Sequence, residues 1–155
     1  MTGQEEKIRF PSRKNPRLKG FDYSSVNYYF ITICTRNKQC LFGLSGNLTP
    51  LGKLAEQGLQ QIPLHFPEIR VDKYVVMPNH VHAILILKPG TTGLSTVVGS
   101  YKSSVTKQIH AINPKITVWQ TSFHDHVIRN QPGYEKIWSY IETNPLKWED
   151  DCFYR

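Results

Sequence analysis

A layered α+β fold, with helices packed on an antiparallel sheet, is the architecture this sequence predicts. Three observations carry the prediction. Segments with helical apolar spacing alternate with β-branched and aromatic runs in the order β, α, β, β, α, β, α. Two long apolar strands flank the turn signal Met77-Pro78-Asn79-His80, which makes a central hairpin. The chain has 155 residues, the length of one domain. That element order fits a ferredoxin-like sheet.

Residues 1–20 read as a basic arm, and residues 21–155 as the single folded domain. Lys7, Arg9, Arg13, Lys14, Arg17 and Lys19 fall in a stretch without an acid, and Pro11, Pro16 and Gly20 break any regular element. The arm is either a solvated tail or a tracker of phosphates, since each Lys or Arg can release a condensed counterion.

Tyr28–Thr35 is aromatic and β-branched almost throughout and predicts a buried strand. Pro50–Ile62 predicts a helix, with Thr49 as N-cap and Pro50 in the first turn. Leu51, Leu54, Ala55, Leu59 and Ile62 form its apolar stripe, and Pro63 is expected to stop it. Ile69–Met77 and His80–Leu87 are the hairpin strands. A second helix spans Leu94–Ile112, with Leu94, Val98, Tyr101, Val105, Ile109 and Ile112 at three-to-four spacing. Trp119–Ile128 predicts a short strand. Pro132–Asn144 predicts the last helix, with Tyr134, Ile137, Trp138 and Ile141 on one stripe and Pro145 beyond it.

Nineteen Lys and Arg against twelve Asp and Glu give a formal charge of +7. The pI near 9.4 favours a polyanionic partner, nucleic acid before a membrane surface. No apolar run reaches the ~18 residues of a membrane span, and MTGQEEKIRF lacks a signal-peptide core, so a cytoplasmic location is expected. Cys34, Cys40 and Cys152 form neither a disulfide framework nor a Cys-x-x-Cys pair.

The sharpest motif is His80-Val81-His82. Side chains alternate along a strand, so His80 and His82 share one face while Val81, Ala83, Leu85 and Leu87 share the other. Two imidazoles spaced i, i+2 can reach one divalent ion, and the apolar run behind them would anchor the strand. Two partly exposed histidines at a strand start are the alternative. His124-x-His126 is a rival pair, but it has no apolar run behind it and reads as surface or supporting.

A nucleic-acid enzyme needs a nucleophile for the phosphodiester, and tyrosine can form such a covalent intermediate. Of eight tyrosines, Tyr140 stands at the edge of the last helix's stripe. Asn144 lies one turn along the same edge, about 40° away. The same position also suits a ring that covers the core rim. Tyr134 and Tyr101 lie on apolar stripes and read as core.

YVVMPNHVHAILIL, SYKSSVTKQI, WQTSFHDHVIRN and YIETNPLKW occur in this order, within a similarity that runs from about Tyr28 to Trp148. Together they resemble the small tyrosine transposases of the HUH (His–hydrophobic–His) superfamily, and most of all the branch associated with repetitive extragenic palindromes. The resemblance implies a ferredoxin-like fold that cleaves and rejoins single-stranded DNA through a 5′-phosphotyrosine. It implies recognition of hairpin or palindromic DNA. Position by position, His80 and His82 match the metal-binding pair, Tyr140 the nucleophile and Asn144 the third ligand, where many relatives carry Gln. The implied cofactor is Mg²⁺ or Mn²⁺. Arg9, Arg13, Lys14, Arg17, Lys19, Lys102 and Lys107 are the expected DNA contacts. A homodimer with exchanged tyrosines and a monomer with its site in cis both occur in the superfamily. A domesticated DNA-binding protein and a replication-initiator-like nickase are the alternatives. A hydrolase of small phosphoesters would not need the basic arm.

Overall fold

The computed structural model describes residues 26–88, 92–151 and 153–154. Arg9, Arg13, Lys14, Arg17 and Lys19 of the basic arm, and Lys7 with them, lie outside the described residues. Four long strands form one sheet: β1 (Asn27–Cys34), β4 (Arg70–Met77), β5 (His80–Leu87) and β6 (His124–Ile128). Their order is β4-β5-β1-β6, with every neighbouring pair antiparallel. This is the split βαβ arrangement of the ferredoxin-like fold. A small ribbon, β2 (Gly43–Leu44) with β3 (Asn47–Leu48), lies outside that sheet.

The helices divide between the two faces. On one face lie α1 (Pro50–His65) and α2 (Leu94–Ile112), whose Ala55, Leu59, Ile62, Val98, Tyr101, Val105 and Ile109 meet Val81, Ala83, Leu85 and Leu87 of β5. The two helices approach closely at Gly58, where an added Cβ would stand 2.7 Å from Val105 Cγ2. On the other face lies α3 (Gln131–Thr143), whose Tyr134 and Ile141 pack with Val75, Met77 and Ile84. Alternation along β5 turns His80 and His82 toward this second face.

Most boundaries fall within one residue of the sequence expectation, and those of α1, β6 and α3 bear on the site. Helix α1 runs through Pro63 to His65, because the proline sits in the last turn and costs one hydrogen bond, after which Phe66 N–H closes the helix on the Ile62 carbonyl at 2.9 Å. The strand expected from Trp119 begins only at His124. Trp119 makes a single bridge to Thr35 and then turns its ring against Phe42 and Tyr101, at 5.5 and 5.7 Å. The final helix ends at Thr143, and Asn144–Asp150 continues as a 3₁₀ segment kinked at Lys147. The α-helix thus ends before Pro145, as expected, and a 3₁₀ segment follows it.

Candidate functional site

His80 and His82 are buried to 0% and 2% exposure. The hydrogen bonds at their Nδ1 atoms explain how they are held. Asn79 Oδ1 lies 2.8 Å from His80 Nδ1, while the Asn79 amide donates to the Phe153 carbonyl at 2.6 Å. The oxygen is therefore an acceptor, and His80 carries its proton on Nδ1. Thr32 Oγ1 lies 2.9 Å from His82 Nδ1. Both Nε2 atoms are buried without a hydrogen-bond partner. Such pairing at Nδ1 is how a protein presents the opposite ring nitrogen to a cation.

Aromatic rings wall the pair. Phe30 stacks on His82 at 5.1 Å, and Phe153 lies 4.6 Å from His80. The Tyr140 ring meets His82 edge-on at 5.3 Å, on the exposed rim of α3 with 40% of its surface open. A cleft of about 520 Å³ opens beside it, lined by Ser139, Tyr140, Thr143, Asn144, Lys147, Asp150 and Asp151.

Asp151 is the residue that sequence reasoning missed. Its Oδ2 lies 3.9 Å from His80 Nε2, and its side chain is fully buried. The ligand atoms of His80, His82 and Asp151 all fall within 4.8 Å of one another. That span is close to the roughly 4.2 Å between opposite ligands of one ion with bonds of about 2.1 Å. Two unpartnered imidazole nitrogens and a carboxylate are a donor set that fits a divalent cation. Asn144 is buried, donates from Nδ2 to Asp151 Oδ2 at 2.8 Å, and leaves Oδ1 unpartnered.

The remaining expected residues stand apart. Lys102 and Lys107 lie on α2, across the sheet from Tyr140, in a groove of about 540 Å³ shared with His110 and Lys115. Lys102 Nζ donates to the Gln120 carbonyl at 2.8 Å, with those of Thr121 and Ser122 at 3.4 Å. It thus holds the segment that leaves the sheet before β6, and burial lowers its pKa. His124 and His126 are exposed on β6. Register places Thr32 between His82 and His124, so the two histidine pairs are two strands, or about 10 Å, apart. Tyr101 and Tyr134 are buried, and Tyr101 donates to the Ala55 carbonyl at 2.9 Å.

Burial pushes the pKa of His80 and of His82 down to about 3. Lys38 lowers His80 further; His80 lowers His82, while Asp151 and the Ile31 backbone oppose that shift. Both imidazoles are therefore neutral and able to ligate at neutral pH. Below about pH 6.5 the unfolded chain takes up these protons and the folded chain does not. Stability should therefore fall as pH falls from 6.5 toward 3, by about 1.4 kcal/mol per pH unit for each histidine. Thermal melts in chelator between pH 7.5 and 5 should show the loss, and replacing both histidines with Gln should flatten it. A parent melting temperature constant over that range would refute the assignment.

The sequence model of the IS200-like transposases matches residues 22–144, across the sheet, both histidines, Tyr140 and Asn144. The chain belongs to the IS200-like transposase family. A Haemophilus influenzae protein of unassigned function is 35% identical, over 92% of this chain and 93% of its own. The transposase is also 29% identical to the REP-associated tyrosine transposase of Escherichia coli K12, over 81% of this chain and 70% of that one. Among solved structures, a REP-associated tyrosine transposase bound to a REP hairpin superposes with a TM-score of 0.63 at 28% identity, over 78% of this chain and 67% of that one. A Deinococcus radiodurans crystal structure, 17% identical, shares the fold with a TM-score of 0.57 over 84% of this chain and 96% of its own. Among the described residues, no helix of the transposase is long and apolar enough to cross a membrane.

Proposed function

We propose that this transposase cleaves and rejoins single-stranded DNA beside hairpin or palindromic sequences, with Tyr140 as nucleophile and Mg²⁺ or Mn²⁺ held at His80 and His82. Asn144, one turn beyond the tyrosine, belongs to the same metal-holding group. The observation that carries this reading is the Tyr140 ring 5.3 Å from His82, on a cleft it shares with Asn144 and Asp151. The hairpin-bound relative supports hairpin DNA as the partner.

The chemistry follows from the groups that meet in the cleft. Tyr140 Oη attacks the phosphorus in line, the phosphodiester bond to the 3′ oxygen breaks, and a 3′-OH leaves. The new bond joins the tyrosine to the 5′ phosphate and conserves the bond energy, so no ATP is consumed. A 3′-OH from a second end attacks that phosphotyrosine and restores the phenol. The bound cation supplies Lewis-acid stabilisation of the phosphate oxygens. His80 and His82 stay neutral and hold it, while Phe30 and Phe153 exclude water from behind. Lys107 and the basic residues of the arm contact DNA phosphates, whereas Lys102 acts mainly through the loop it holds.

The same geometry favours a site complete within one chain. Only Arg129 and Asn130 separate β6 from α3, and Asn130 caps the helix by accepting from Gly133 N–H at 2.8 Å. Tyr134 donates to Asp72, Lys73 pairs with Glu142, and the Lys73 ammonium sits 4.0 Å from the Trp138 ring centroid. These ties to β4 hold Tyr140 over the histidines of its own chain. Mixing Tyr140→Phe protein with His82→Ala protein should therefore restore no cleavage. Recovery toward about a quarter of the parent rate, at equal total protein, would mean that tyrosines are exchanged between subunits. The proposal itself is tested by incubating the parent with 3′-labelled single-stranded DNA from the flanks of its own gene and Mn²⁺. A protein-linked band on a denaturing gel is expected, and its absence across all flanking sequences would sink the proposal.

A further inference from the structure

Three features outside the mechanism above could carry more: the basic groove beside α2, the exposed His124–His126 pair, and the carboxylate of Asp151. The first holds no unpartnered buried group, and among the described residues the second belongs to no group of three side chains that could hold an ion. The third is different, because it is buried against atoms that lack partners.

We infer that Asp151 is a direct protein ligand of the ion at His80 and His82, and that Asn144 acts mainly by holding the Asp151 carboxylate in place. The inference rests on the metal-dependent reading of the site and changes who completes it. Neutral imidazoles bring no charge to a divalent cation, and Asn144 brings none either. A carboxylate is the hard, anionic ligand that Mg²⁺ and Mn²⁺ favour. Asp151 is already shaped for that task. Its Oδ2 accepts from Asn144 Nδ2 at 2.8 Å, and its Oδ1 accepts from Phe153 N–H at 2.8 Å. Turning the Asn144 amide over would set its oxygen against the carboxylate, so its donor end is committed to Asp151. Ligating carboxylates are commonly oriented by such outer hydrogen bonds.

The burial gives a second argument. The Asp151 side chain is fully buried, and the nitrogen nearest its Oδ2 across the site, at 3.9 Å, is Nε2 of the neutral His80, which offers it no positive charge. A buried carboxylate facing two unpartnered ring nitrogens is costly unless a cation joins them. The placement of Asp151 follows from the 3₁₀ segment Asn144–Asp150, which carries the chain from the end of α3 back over the histidines. A metal held there ties this segment to β5.

The test is Mn²⁺ titration by calorimetry on the full-length protein without DNA. Asp151→Asn keeps the shape and one acceptor but removes the charge. It should weaken Mn²⁺ binding on the order of 100-fold, and Asn144→Ala roughly 10-fold. In chelator, Asp151→Asn should melt no lower than the parent, and only the rise in melting temperature caused by Mn²⁺ should vanish. Hydrogen exchange adds a readout that a merely structural aspartate would not move. Mn²⁺ should slow exchange of residues 144–151 in the parent and not in Asp151→Asn. Equal Mn²⁺ affinity in parent and Asp151→Asn would overturn this inference alone, as would a larger loss in Asn144→Ala. A parent that binds no Mn²⁺ would overturn the metal-dependent reading with it.

Discussion

Tyr140→Phe should form no covalent adduct with DNA while folding, binding metal and binding DNA as the parent does. The substitution removes one oxygen from a ring that is 40% exposed, and its edge contacts with His82 and Phe30, at 5.3 and 6.2 Å, survive in phenylalanine. Nothing in the core is disturbed, so the stability change should stay within about 0.5 kcal/mol. The chemical effect is of another order. Without the phenolic oxygen there is no nucleophile, and loss of a nucleophile costs on the order of 10⁶-fold in well-studied enzymes. Tyr101→Phe is the matched control. It deletes the hydrogen bond to the Ala55 carbonyl and should cost about 1 kcal/mol of stability, yet leave the adduct intact. On a denaturing gel of 3′-labelled DNA, the protein-linked band should vanish in Tyr140→Phe and persist in Tyr101→Phe. The reverse pattern would move the nucleophile to α2 and overturn the site.

How much of this was legible beforehand depended on periodicity. His80 and His82 could be placed on one face because a strand alternates and because Val81, Ala83, Leu85 and Leu87 filled the other. Tyr140 and Asn144 could be placed on one helix edge by the 3.6-residue turn. Helix α2 was readable to both of its ends. What no period reveals is which face of the sheet a helix covers. That α3 packs on the histidine side, opposite α1 and α2, is fixed by the short connection from β6 and by Tyr134 reaching Asp72.

Asp151 was not legible for a related reason. It follows a 3₁₀ segment whose Lys147 leaves helical geometry, at φ −116° and ψ 27°. No repeat carries a facing direction through such a kink, so the run Glu149-Asp150-Asp151 offered no way to choose the inward acid. Trp119 misled in the opposite sense. An aromatic residue before a β-rich run suggests a strand, but here the ring is worth more in the core against Phe42 and Tyr101. The carbonyls released from the sheet then find Lys102 instead. Lys102 in this way holds the segment before β6.

His82→Ala should abolish cleavage and metal binding together, while charge-driven affinity for single-stranded DNA remains. His82 sits between two proposed functions: its unpartnered Nε2 faces the proposed ion site, and its ring is the surface on which Phe30 stacks and Tyr140 leans. Removing it takes one of the two imidazole ligands and frees the Tyr140 ring from its edge contact. Loss of Lewis-acid stabilisation alone is worth several kcal/mol in the transition state, a fall of about 10³-fold or more. DNA affinity should change little, because it depends on Lys and Arg counterion release rather than on a neutral imidazole. The cavity left beside Phe30 should lower the melting temperature at pH 7, but in chelator that temperature should fall less between pH 7 and 5 than the parent's. Protein stripped of metal, then given Mn²⁺, separates these effects: calorimetry reads the ion, fluorescence anisotropy reads DNA, and the gel reads cleavage. A His82→Ala protein that cut at the parent rate would show that the histidine pair is structural and that the cation, if one is used, lies elsewhere.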